Sequence, residues 1–305
     1  MKRVATKINS NRGEKEFVAE VNTISKLSHR NLVKLIGWCH EEAELLLIYE
    51  YFPMGSLDKL LYAGASASAP ELTWERRYMI ICGMASALDY LHHGSSKRIL
   101  HRDVKASNVM LDEDYNARLG DFGLARVIQH DGVTHHSTQA VAGTRGYMAY
   151  ETFFTGRASL DTDVYAFGVF VMEVISGKSP SRSMIYDRQE MYIVDWIWRH
   201  YSLGKALETA DAVLGGVYDE EQVDVAVRLA LACCHPNPMC RPSMKKAVQV
   251  LIGGAPAPIP PPERPAFVWP PSGGQQEIEL PQVGVLFTAG KNSFCSITST
   301  SLTGR

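Results

Sequence analysis

The sequence predicts an α+β fold in two lobes, a small sheet-plus-helix region followed by a larger, mainly helical one. Three observations carry this expectation. The opening of the chain alternates short apolar runs with one amphipathic stretch, and the later part carries a succession of segments with helical apolar spacing. Two polar motifs, His101-Arg102-Asp103-Val104-Lys105-Ala106-Ser107-Asn108 and Asp121-Phe122-Gly123, bracket a segment just long enough for one hairpin. At 305 residues, 46% hydrophobic, 21% charged and with a formal net charge of -2, the chain has an ordinary globular composition and the length of two domains or lobes.

In chain order, Val4 to Lys7 reads as a strand. Glu14 to Leu27 reads as a helix, because Phe17, Val18, Val21, Ile24 and Leu27 recur at three- and four-residue steps. Leu32 to Trp38 and Leu45 to Tyr51 flank the turn-like His40-Glu41-Glu42 and form a hairpin, which Pro53 and Gly55 close. A small-residue loop from Ala63 to Pro70 leads to Thr73 and a helix carrying Met79, Ile80, Met84, Leu88 and Leu91. The hairpin between the motifs pairs Val109 to Leu111 with Asn116 to Leu119 around a turn at Asp112 to Tyr115. Further helices are expected over Asp161 to Ser176, Met191 to His200, Glu220 to Cys234 and Pro242 to Ile252. After Gly253 come six prolines within a few residues and then a Ser/Thr-rich end. Such a segment buries too little apolar surface to offset its ordering entropy and is expected as a disordered tail over 254–305. The expected division is 1–52, 53–253 and this tail.

Several classes are excluded. No apolar run approaches the ~20 residues of a membrane helix, and the start Met1-Lys2-Arg3-Val4 lacks a signal peptide's apolar stretch, so no membrane insertion by this chain is expected. Basic residues are scattered, so no nucleic-acid partner is expected. The six cysteines lack the spacing of a zinc site or disulfide framework and read as thiols in a reducing compartment. No window matches Gly-x-x-x-x-Gly-Lys-Ser/Thr, which excludes a P-loop NTPase.

The paired motifs supply what phosphoryl transfer needs: a carboxylate to steer a hydroxyl (Asp103), an amide oxygen for a metal (Asn108) and a second metal-binding carboxylate (Asp121). Any one of them alone is more often a turn or a cap, but together, in this order and spacing, they resemble the catalytic and metal-binding loops of eukaryotic protein kinases. The resemblance runs from about Val4 to Leu251 and implies a protein-kinase-like fold that transfers the γ-phosphoryl group of ATP to protein Ser/Thr hydroxyls with Mg²⁺. Asn108 and Asp121 would then hold metal. Val4-Ala5-Thr6-Lys7 resembles the family's Val-Ala-Ile-Lys, so that Lys7 would pair with phosphates and Glu20 would orient Lys7. Lys105 matches the serine/threonine branch. The stretch Leu46 to Leu57 resembles the interlobe hinge of plant receptor-like kinases. Tyr49 is then the gatekeeper, the Glu50 and Phe52 backbones bind adenine, and Met110 packs beneath it. In the activation segment between Asp121 and Glu151, a phosphate at Ser137 or Thr138 would pair with Arg102. Thr144 reads as a substrate-platform residue contacting Asp103 and Lys105. His101, Phe122, Asp163 and the pair Glu151–Arg241 are implied to be structural supports.

Phe17-Val18-Ala19-Glu20, His29-Arg30-Asn31-Leu32-Val33, Leu35-Ile36-Gly37-Trp38-Cys39 and the ending Ser301-Leu302-Thr303-Gly304-Arg305 are similar to the L-type lectin-domain receptor kinases. That implies a cytoplasmic kinase region whose relatives sit at the plasma membrane, with protein substrates and other kinases as partners. Two departures stand out. The chain opens at the lysine strand, without the family's Gly-rich loop and two sheet strands, so a truncated N-lobe is expected; the alternative reading is a weakly active or inactive pseudokinase-like scaffold. The expected Ala-Pro-Glu reads Ala149-Tyr150-Glu151, an aromatic in place of a rigid φ.

Overall fold

A computed structural model describes residues 2–5, 11–41, 44–63, 72–128, 135–137, 142–186 and 189–268. Strand β1 (Lys2–Ala5) precedes helix α1 (Asn11–Ile24), and β2 (Leu35–Glu41) turns back into β3 (Glu44–Tyr49). These strands form an antiparallel sheet in the order β1-β3-β2, with Lys2 opposite Leu47 and Trp38 opposite Leu47 on the other side. Phe17 and Ile24 of α1 are buried, as the helical spacing predicts. The helix begins and ends three residues earlier than its apolar spacing implies.

The connection then crosses to the second lobe. It forms the short strand β4 (Gly55–Ser56), helix α2 (Leu57–Leu61) and helix α3 (Trp74–Asp89), whose last turn widens into a π-turn over Tyr90–Gly94. Strand β5 (Arg98–Leu100) pairs with β8 (Arg126–Ile128), and between them lies the hairpin of β6 (Val109–Leu111) and β7 (Ala117–Leu119). Val109 faces Leu119 and Leu111 faces Ala117, the pairing expected from sequence. The Asp112 side chain closes the turn by accepting from the amides of Asp114 and Asn116 at 3.1 and 2.9 Å. The hairpin is also the seam to the first lobe: Leu119 N–H donates to Asn31 O at 2.8 Å, and Val33 N–H donates to Leu119 O at 3.0 Å.

Strand β9 (His135–Ser137) pairs with β10 (Arg157–Ser159), and helix α4 (Tyr150–Thr155) lies just before β10. Helix α5 (Leu160–Ser176) is the axis of this lobe. It starts at a capping box in which Ser159 and Thr162 exchange bonds, and it stops at Gly177 in the left-handed region. Almost every side chain from Asp163 to Ser176 is buried, and each large apolar one contributes roughly 1.5–3 kcal/mol. Gly168 lets α5 approach the later helix α7 (Glu220–Cys233), since a Cβ there would lie 2.7 Å from Cys233 Cβ and Cys234 Sγ. A ribbon of β11 (Met184–Tyr186) and β12 (Gln189–Met191), then α6 (Ile193–Ser202), α7 and α8 (Met244–Leu251) complete the helical lobe. The fold is therefore α+β with helices concentrated after the hinge, as predicted. Among the described residues no helix is long and apolar enough to cross a membrane.

Residues 254–268, expected as the start of a disordered tail, instead lie against the helical lobe. Ala255 and Ala257 pack on the core, and the carbonyls of Pro260 and Pro261 accept from Tyr201 and Trp198. Proline carbonyls still accept hydrogen bonds, and a chain stiffened by proline loses less entropy on docking than a flexible one. The remainder of that tail, 269–305, lies outside the described residues, as does the small-residue loop from residue 64 onward.

One buried carboxylate sets a pH dependence for this lobe. Burial pushes Glu173 on α5 up to about 7 from its ordinary 4.5, against the pull of hydrogen bonds from Tyr147 and Tyr62. The folded chain thus keeps a proton there that the unfolded chain has released. Stability contributed by this group is complete below about 4.5 and is lost as pH rises toward 7, by about 3 kcal/mol. Urea unfolding at pH 5 and pH 8 should show this loss in the parent and not in Glu173→Gln; an unchanged slope in the variant would assign the pH dependence elsewhere.

Candidate active site

Asp103 follows two residues in unusual surroundings. Arg102 has φ of 70°, which a non-glycine residue adopts rarely. The backbone turns there because both the His101 and Arg102 amides point at one carboxylate, donating to Asp163 Oδ2 and Oδ1 at 2.8 and 2.9 Å. Asp163 is 1% exposed, and His92 Nε2 lies 3.2 Å from it. Burial alone would raise this carboxyl; His92, His101 and its amide together hold it below the usual range. His101, buried, directs its Nε2 at Gly120 O (3.0 Å) and its ring edge at Phe122. The catalytic-type loop and the Asp-Phe-Gly loop are therefore tied by one imidazole.

Asp103 itself is surrounded by donors. Thr144 Oγ1 donates to Oδ1 at 2.6 Å, Lys105 Nζ lies 2.7 Å from Oδ2, and Asn108 Nδ2 donates to Oδ2 at 3.1 Å. Lys105 Nζ also donates to Thr144 at 2.9 Å, so Asp103, Lys105 and Thr144 form a closed triangle. Asn108 links this triangle to a neighbouring cleft of about 450 Å³. Tyr49, Glu50, Phe52 and Met110 line the cleft together with Glu20, Asn108 and Asp121. Asp121 has φ of 63° and sits directly after Gly120, whose amide donates to Asn108 O at 2.9 Å.

Glu20, 1% exposed on α1, reaches from the first lobe into this cleft. It accepts from the Phe122 amide at 3.3 Å and from the Tyr49 hydroxyl, whose ionisation burial and Glu20 both push upward. Lys7 lies outside the described residues, so its expected pairing with Glu20 is not placed. On the hinge, Glu50 N–H donates to Lys34 O and Phe52 O accepts from Gly55 N–H.

On the far side of Asp103, Thr144 opens the loop that leads to α4. Gly146 takes φ of 93° there, and a Cβ on it would lie 2.4 Å from Pro180 O, so only glycine lets this loop lie against the segment after α5. Glu151, in the first turn of α4, meets Arg241 in a buried two-pronged pair at 2.6 and 2.9 Å. Arg241 also donates to Asp161 O, which fixes α4 to the start of α5. The Ser137 backbone pairs with Arg157 across β9 and β10, and Thr138 lies outside the described residues.

The sequence reading overlooked His92, Arg126, and the group of Glu173 with the hydroxyls of Tyr62 and Tyr147. Arg126, five residues after Asp121, lies close enough to Arg102 to disfavour its charge, second only to burial. The Arg102 Nε is buried and without a hydrogen-bond partner among the described residues. Arg126 stands three residues after Gly123, beside the Asp-Phe-Gly motif, whereas nothing local marks His92 or Glu173.

No group of three or more His, Cys, Asp or Glu suited to a metal occurs among the described residues. Mg²⁺ takes one or two carboxylates and fills its remaining positions with water and phosphate oxygens, and Asp121 and Asn108 could supply such a partial set.

Residues 1–251 match the model of the protein tyrosine and serine/threonine kinase family. The chain is 56% identical over 273 residues to the probable L-type lectin-domain containing receptor kinase S.5 of Arabidopsis thaliana, covering 88% of this chain and 41% of that protein. It is 45% identical to the probable receptor kinase S.7 of the same type and organism, over 83% of this chain and 37% of that one. To the L-type lectin-domain containing receptor kinase SIT2 of Oryza sativa subsp. japonica it is 46% identical, over 82% and 36%. The chain thus spans about two fifths of the length of these relatives.

The Glu151–Arg241 pair allows a test that is independent of any activity. Arg241→Ala leaves a buried carboxylate without its cation and should cost about 3–5 kcal/mol in urea unfolding. A loss below about 1 kcal/mol, the range of exposed pairs, would mean that the pair does not anchor α4.

Proposed function

Because the chain belongs to the protein tyrosine and serine/threonine kinase family, we propose that it transfers the γ-phosphoryl group of ATP to serine or threonine hydroxyls of proteins, as the kinase region of a lectin-type receptor kinase. The observation that carries this reading is Asn108. It bonds to Asp103 on the platform side and lines the nucleotide-sized cleft with Asp121 on the other, so hydroxyl and phosphate sites adjoin. At about 450 Å³ the cleft falls within the roughly 300–1,000 Å³ of small-molecule sites.

In this reading the purine base lies between Val33 and Met110. The Glu50 carbonyl and Phe52 N–H would bond it, since the Glu50 amide is taken by Lys34 O and the Phe52 carbonyl by the Gly55 amide. Mg²⁺ held by Asp121 and Asn108 would supply charge neutralisation at the transferring group. Asp103 accepts the substrate hydroxyl's proton as the oxygen–phosphorus bond forms and ADP departs with the bridging oxygen. Lys105 then stands beside the transferring phosphoryl group, and its bond to Thr144 fixes its reach. That Lys105–Thr144 arrangement is the support for serine/threonine over tyrosine. Lys7 is assigned to the phosphates and Glu20 to orienting Lys7. The relatives' names as receptor kinases support a place on the cytoplasmic side of the plasma membrane. The organisation that accompanies this reading is an N-lobe with hinge over 1–52 and a C-lobe over 53–253.

Activation follows from Arg102. Its buried Nε lacks a partner among the described residues, and Arg126 adds like charge beside it. A phosphate on Ser137 or Thr138 would satisfy both through charge-assisted bonds.

Two measurements test these assignments. Asp103→Asn and Asp121→Asn should each abolish transfer to a generic protein substrate, by at least about a thousandfold, with unchanged circular dichroism; parental turnover in either variant sinks the catalytic assignment. Complete phosphatase treatment should lower activity and make residues 133–141 easier to cleave by protease, and equal activity and cleavage before and after would exclude the Arg102 switch.

A further inference from the structure

After α8 the chain does not leave the lobe but runs back across α6 to α4. Pro260 is buried, and three successive carbonyls, of Pro260, Pro261 and Pro262, accept from Tyr201 Oη, Trp198 Nε1 and Ser202 Oγ along α6. Proline has no N–H, so the segment offers acceptors only, and α6 answers with a row of donors. Beyond this row Arg264 reaches between two helices. Its guanidinium pairs with Asp195 of α6, donates to Tyr150 Oη at 2.8 Å and lies over the Tyr150 ring at 5.3 Å. Phe267 stacks on Phe154 at 5.3 Å and lies 5.6 Å from Tyr150.

Tyr150 occupies a decisive place. It is the first residue of α4, immediately after the loop in which Thr144 bonds to Asp103 and immediately before Glu151 with its bond to Arg241. A proline at such a first helical position would fix φ through its ring. Tyrosine leaves φ free, and here the side chain is gripped instead: Arg264 and Phe267 from the C-terminal segment on one side, Tyr165 of α5 on the other.

We propose that residues 255–267 form a strap that positions the loop 142–149, which presents a protein substrate's hydroxyl, and that Arg264 is the positioning residue, acting through Tyr150. What the loop presents rests on the kinase reading above. The grip on the loop does not.

Hydrogen exchange followed by mass spectrometry on the full chain separates the two. Arg264→Ala should speed exchange of the amides in 142–155 by about tenfold or more, the worth of one charge-assisted bond, and leave α7 unchanged. Tyr150→Pro added to Arg264→Ala should return exchange in 142–155 to the parental rate, because the ring replaces the lost grip. In a chain that phosphorylates peptides, Arg264→Ala should also raise KM for the peptide and leave KM for ATP unchanged. Exchange in 142–155 that does not change, a speed-up spread equally over α5 and α7, failure of Tyr150→Pro to rescue, or an unmoved peptide KM would each overturn the strap's role. A chain that loosens and is rescued as expected, yet transfers no phosphoryl group, upholds the grip and counts against the activity.

Discussion

The Asp163 carboxylate holds the site together. It is buried at the head of α5, and alone there it would carry a desolvation cost of several kcal/mol. Three donors offset that cost: the amides of His101 and Arg102 and the ring of His92. Two consecutive amides can converge on one carboxylate only if the chain bends sharply, and the positive φ of Arg102 is that bend. The bend aims Asp103 at Thr144 and Lys105, and it places the His101 ring where its Nε2 donates to Gly120 O, next to Asp121. One ionised group thus fixes the geometry of two loops that share no regular structure.

Helix α5 extends the same logic beyond Asp163. Its first turn receives Arg241, which grips Glu151, and its fourth turn carries Glu173, which receives the hydroxyl of Tyr147 from the platform loop. The loop between Thr144 and Glu151 is therefore suspended from a buried helix at two points, with Gly146 packed against Pro180 just before the first. The C-terminal strap adds a third point from outside, through Tyr150. Polar groups fixed on a rigid helix can hold a loop within the small tolerances that positioning-based catalysis demands.

Local pattern made much of this legible. The hairpin Val109–Leu111 with Ala117–Leu119 follows from alternation and from Asp112 at the turn, and α5, α6 and α7 follow from helical apolar spacing with caps near the ends. Asp103, Asn108 and Asp121 stood out because their spacing is chemical, not merely structural, and the structure brings Asn108 to both Asp103 and the cleft that Asp121 lines. The strap was misread because its partners are distant in sequence: Trp198 and Tyr201 supply donors, and Tyr150 an acceptor, that composition around Pro260 cannot reveal. Helix α4 is too short to show a period, and Glu173 sits in an apolar run where nothing local tells a satisfied buried carboxylate from a costly one. The tyrosine at position 150 looked like a defect in a motif; it is the point at which the C-terminal segment takes hold.

The measurement closest to the central claim is native-state hydrogen exchange at the His101 and Arg102 amides. Loop amides ordinarily exchange within the time of local fluctuations, whereas amides bonded to a buried carboxylate open only with the structure around them. The account predicts that both exchange as slowly as the buried turns of α5, and that Asp163→Asn speeds these two far more than the α5 amides. Exchange of His101 and Arg102 at the rate of exposed loop amides in the parent would contradict it, because the carboxylate could not then be what holds Asp103 in place.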